Sequence, residues 1–96
     1  MAAMQRIIVH GRVQGVNFRG FVEDEAGKRR LDGWVRNLGD GTVEAVFSGP
    51  DADVAAVIAR CRIGPRHADV TKLETFPASE RDLKLRNAGE KFSRLG

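Results

Sequence analysis

The chain has 96 residues, 42% of them hydrophobic and 30% charged, and its 16 Lys and Arg against 13 Asp and Glu give a formal net charge of +3. That size predicts a single domain over residues 1–96, and no apolar run reaches the about 18 residues of a membrane span. The cationic balance favours an anionic partner, while the lone Cys61 rules out an internal disulfide and a thiolate metal cluster.

The opening MAAMQRIIVHGRV has no basic n-region and no long apolar stretch, so a cytoplasmic protein is expected. Ile7 and Val9 alternate with Arg6, Ile8 and His10, the period of a strand with a buried face, and Gly11 should end it. The stretch GRVQGVNFRG follows, with glycines at 11, 15 and 20 around a short run that closes on Phe18 and Arg19. From Phe18 the spacing changes: Phe18, Phe21, Val22 and Ala26 form a helical stripe. Glu23, Asp24 and Glu25 are read near the start of that helix, with Lys28, Arg29 and Arg30 at its end, an order that suits the helix dipole.

LDGWVRNLGDGTVEAVFSG reads as a hairpin, with Gly39-Asp40-Gly41 between two runs of strand formers. Pro50 and its acidic neighbours open a second helix carrying Val54, Val57, Ile58 and Cys61, and Gly64-Pro65 ends it. ADVTKLETF alternates again as a fourth strand. In the tail, either DLKLR or KFSRL could be a last strand; the alternation of Leu83 and Leu85 favours the first, leaving the chain after about residue 87 as a loose basic extension. The order β-α-β-β-α-β predicts an α+β, ferredoxin-like sandwich: an antiparallel sheet with two helices on one face.

Strand, glycine loop and helix together make an anion cradle, because the first N–H groups of a helix lack intrahelical partners. Gly15, Val16, Asn17 and Phe18 are placed to offer such groups to an oxyanion. Arg19 would sit in the first turn, where a cation opposes the dipole unless an anion lies between them, and its fork matches two phosphate oxygens. The loop has no G-K-[ST] ending and no G-x-G-x-x-G, so neither a nucleotide P-loop nor a dinucleotide fingerprint is present. A small phosphorylated molecule is the better match. Gly20, inside the helix, should loosen its start by about 1 kcal/mol.

VHGRVQGVNFR and GWVRNLGDGTVEAVFSGP resemble the two signatures of the acylphosphatase family, in the family's order and spacing, over residues 9–50. The resemblance implies metal-independent hydrolysis of a carboxyl-phosphate anhydride to carboxylate and inorganic phosphate, with no cofactor. It maps the phosphate-binding arginine onto Arg19, the catalytic asparagine onto Asn37, and the phosphate cradle onto residues 12–18 with Gly15, Val16, Asn17 and Phe18. Placing Asn37 beside the loop would require the first two strands to lie near one another. The family's usual F-x-I at the last strand is not clearly matched, and Arg29 and Arg30 stand where an apolar residue and a glycine are common.

Other chemistry has little support. His10 and His67 have no Asp or Glu at a catalytic spacing, and with one cysteine they make no metal ligand set. Trp34 is expected to pack in or near the core, and Arg60, Arg62 and Arg66 to be solvated. Two further readings remain: a non-catalytic phosphate-binding or regulatory module, which would need Arg19 but not Asn37, and an RNA-binding domain. The last would want exposed aromatics on the central strands, and the hairpin offers only Trp34 and Phe47. The expected partner is a small acyl phosphate, with no nucleic acid, no membrane and a monomeric state.

Overall fold

A computed structural model describes residues 1–96. In chain order the elements are β1 (Ala2–Arg12), α1 (Phe18–Lys28), β2 (Asp32–Asn37), β3 (Val43–Pro50), α2 (Asp51–Ile63), β4 (Asp69–Pro77), α3 (Glu80–Leu83) and β5 (Phe92–Leu95). The strands form one sheet in the order β4-β1-β3-β2-β5. The ferredoxin-like β-α-β-β-α-β arrangement is therefore present. Its four expected strands pair antiparallel, whereas β5 adds to β2 in parallel, so the sheet is mixed and not antiparallel throughout.

Alternation along the strands decides which residues meet the helices. Ile7 and Val9 of β1, Val35 of β2, and Val43, Ala45 and Phe47 of β3 face one side. There they bury against Phe18, Val22 and Ala26 of α1 and Val54, Val57 and Cys61 of α2. Each Val, Ile or Phe side chain among them contributes roughly 1.5–3 kcal/mol when fully removed from water. The opposite face carries Trp34 and Val46, covered by Leu83 of α3. Trp34 is 1% exposed and donates its indole N–H to the Asp82 carbonyl at 2.7 Å, which makes it a packing residue.

The tail differs from the sequence expectation. DLKLR is not a strand: Ser79 and Asp82 cap each other's backbone N–H groups and start the short helix α3, and Leu85 is exposed. The last strand lies in KFSRL, within the segment expected to be loose. Phe92 holds it by stacking on Phe47 at 5.9 Å, and Ser93 is buried. In α1 the first turn contains no acidic residue. Glu25 is instead buried in mid-helix, 3.4 Å from both Lys28 and Arg60, and Arg60 lies over the Phe21 ring at 5.6 Å. Arg60 nonetheless stays exposed, as expected, with these contacts made at the surface.

Candidate active site

Register fixes the end of the sheet where the loop and Asn37 meet. Val43 of β3 pairs with Val9 of β1 on one side and with Asn37 of β2 on the other. β1 and β2 lie near one another, as placing Asn37 beside the loop requires, without being adjacent: β3 lies between them. Both run antiparallel to β3, so their carboxyl ends emerge at the same edge of the sheet, and the loop after β1 bridges the gap.

That bridge is made by a residue to which the sequence reading gave no role. Gln14 donates both amide hydrogens of its Nε2, one to the Leu38 carbonyl at 2.8 Å and one to the Thr42 carbonyl at 2.9 Å. The glycine loop is thereby tied to the turn that directly follows Asn37. The turn is closed by its own bonds. Leu38 N–H donates to Thr42 O, Gly41 N–H to Leu38 O, and the Asp40 carboxylate accepts from both the backbone N–H and the hydroxyl of Thr42. Those two bonds, the hydroxyl's first, hold the Asp40 carboxyl below its ordinary range.

The loop itself is left open. Gly15 has φ 75° and Asn17 has φ 60°, left-handed conformations that glycine and asparagine tolerate best. Together they turn the backbone into the start of α1. Gly15, Val16 and Asn17 donate their backbone N–H groups to no atom of the protein, and Phe18, first in the helix, has no intrahelical acceptor. Asn17 makes no side-chain capping bond. Its carboxamide lies over Gly20, where any Cβ would overlap it. Gly20 thus leaves room for the Asn17 carboxamide in the position it takes.

Gly15, Asn17, Phe18, Arg19 and Asn37 line one cavity of about 110 Å³, together with Gln14. That is well below the roughly 300 Å³ at which pockets for larger ligands begin. Val16 does not line it; its side chain packs on the core. Arg12 also stays outside, in backbone register with Asp69 of β4 at the end of β1, so the lining starts at Val13 and not at residue 12. The Arg19 guanidinium makes a single long contact with protein, 3.3 Å from Nη1 to the Gly96 carbonyl. The Asn37 carboxamide makes none. No acidic side chain lines the cavity, and Arg94 of β5 does.

Elsewhere the candidates are structural. Cys61 is fully buried, and burial pushes its thiol up to about 12, which keeps it from acting as a nucleophile. His10 pairs with Glu74 at 2.7 Å on a strand face, and that hydrogen bond holds the Glu74 carboxyl below its ordinary range. No three His, Cys, Asp or Glu side chains are grouped so that they could hold a metal ion. No helix is long and apolar enough to cross a membrane.

Similarity to known proteins extends over nearly the whole chain. The acylphosphatase family model matches residues 5–92. An acylphosphatase of Rhodopseudomonas palustris strain BisB18 is 55% identical over 92 residues, covering 96% of this chain and 93% of that one. An acylphosphatase of Bradyrhizobium diazoefficiens is 46% identical over 93 residues, covering 97% and 94%. Among solved structures, the crystal structure of acylphosphatase from Bacillus subtilis matches with a TM-score of 0.84 at 37% identity, covering 100% of both chains.

Proposed function

The chain belongs to the acylphosphatase family, and we propose that it hydrolyses the carboxyl-phosphate bond of small acyl phosphates in the cavity between the glycine loop and Asn37. One observation carries the division of roles. Unpartnered backbone donors, a guanidinium and a free carboxamide, drawn from two separate stretches of sequence, converge on one small cavity without a carboxylate in its lining.

The phosphate dianion takes the loop N–H groups of Gly15, Asn17 and Phe18, with the positive end of α1 behind them. Arg19 binds two of its oxygens through the guanidinium fork. The Asn37 carboxamide orients a water for in-line attack on phosphorus, since it can both accept from and donate to that water. The P–O bond to the carboxylate breaks and its electron pair leaves with the carboxylate, while the water's oxygen and protons stay with the phosphate. A carboxylate is a good leaving group, so no strong general base is required. Positioning and charge stabilisation on the equatorial oxygens are enough. No metal or cofactor takes part in this reading.

A purely phosphate-binding module would have no use for Asn37 at the cavity, and the family relatives are named for an enzyme. We assign the protein to the cytoplasm as a monomer. Hydrolysis of acetyl phosphate in ¹⁸O-labelled water with EDTA present tests the chemistry. Label in inorganic phosphate, at an undiminished rate, is the expected result. Label in acetate, or a rate restored only by added divalent cations, would overturn it.

A further inference from the structure

Arg94 lines the same cavity as Arg19 but comes from the other end of the chain, on β5. Its Nε donates to Glu23 Oε1 at 2.6 Å, and its Nη2 meets the same oxygen. Nη1 is thus left without a protein partner. Glu23 lies on α1 one helical turn beyond Arg19, so the pair holds the second guanidinium beside the first. The Arg94 and Glu23 side chains are 42% and 34% exposed. At that exposure the guanidinium's free edge stays accessible to a ligand.

The donors present exceed what one phosphate needs. Arg19, the loop N–H groups and the helix end already oppose a dianion, and Glu23, outside the lining, balances the charge of Arg94 while leaving its Nη1 unpaired. We propose that Arg94 is a specificity determinant that favours acyl phosphates whose acyl part carries a second anionic group, such as a carboxylate. Glu23 holds the guanidinium in place by one edge while the other edge faces the substrate's second charge. This inference rests on the hydrolytic reading above.

The test compares kcat/KM for acetyl phosphate and succinyl phosphate, which differ by one carboxylate in the acyl part. They are measured in the unmodified protein, Arg94→Gln and Arg94→Lys at low and moderate salt. Arg94→Gln should lower the value for succinyl phosphate about fivefold more than that for acetyl phosphate. Arg94→Lys should restore most of the preference, and salt should narrow it in the unmodified protein. Equal losses on both substrates would make Arg94 a second phosphate ligand and overturn the proposal. No loss on either would make it a surface ion pair and overturn it as well. Absence of acetyl phosphate turnover in the unmodified protein would instead remove the hydrolytic reading, and the proposal with it.

Discussion

Two connections lie side by side at one end of the sheet, the loop over residues 13–17 and the turn over residues 38–42, and they treat their polar groups in opposite ways. The turn satisfies its own: Asp40 accepts twice from Thr42, and Leu38 and Gly41 close backbone bonds. The loop leaves the N–H groups of Gly15, Val16 and Asn17 without a protein acceptor. Unpaired donors cost free energy unless solvent or a ligand takes them. In the proposed mechanism the self-satisfied turn serves as the anchor, and the loop clamped to it by Gln14 keeps its donors for an anion. Rigidity on one side is what makes unspent hydrogen-bonding capacity on the other useful for catalysis.

That contrast breaks most sharply at Arg19. Replacement by alanine should lower kcat/KM by ~10³ to 10⁵, about 4–7 kcal/mol, with loss of phosphate affinity. The melting temperature should hardly move, because the side chain's one protein contact is long and exposed. Removing the clamp should come next. Gln14→Ala unties the loop from the turn without touching either Arg19 or Asn37, and misplacement of the donors should cost on the order of 10² in kcat/KM. Steady-state kinetics would show it, and a Gln14→Ala enzyme of full activity would mean the loop holds its shape unaided. Gly15→Ala should be milder. A Cβ there meets no protein atom, so the penalty is that of a left-handed φ, about 1–2 kcal/mol, readable as a lower melting temperature with weaker phosphate binding.

The smallest effect belongs to the turn's own carboxylate. Asp40 has its folded pKa held below the ordinary value of 3.8 by the Thr42 hydroxyl and backbone N–H. Such a group stabilises the fold above its unfolded pKa, and that contribution is lost as pH falls through the lower folded value. Acid titration of thermal stability should therefore show a slight loss in the unmodified protein between those two values. Asp40→Asn should flatten it.

Most of this framework could be read from residue types. Period-2 alternation marked β1 and β4, the glycine turn marked the β2–β3 hairpin, and the stripe of Phe18, Val22 and Ala26 marked α1. What escaped the reading was set by tertiary context. β5 is four residues long, and its place depends on Phe92 stacking against Phe47 and on a register with β2, neither of which leaves a local pattern. Leu83 and Leu85 alternate like a strand, yet Ser79 and Asp82 form a capping box that ends in a helix; that S-x-x-D spacing was the available signal. Because the tail was expected to be loose, Arg94 went unnoticed. The roles of Gln14 and Gly20 likewise depend on partners across the fold, the Leu38 and Thr42 carbonyls for one and the Asn17 carboxamide for the other.

The division between holding phosphate and directing water is tested most directly by Asn37→Ala, through acetyl phosphate turnover and inorganic phosphate affinity on the same preparation. Turnover should fall by roughly 10² to 10⁴ while the phosphate Kd stays within about twofold of the unmodified protein. Retained turnover, or a parallel loss of phosphate binding, would contradict the assignment of the water to Asn37 and of the phosphate to the loop and Arg19.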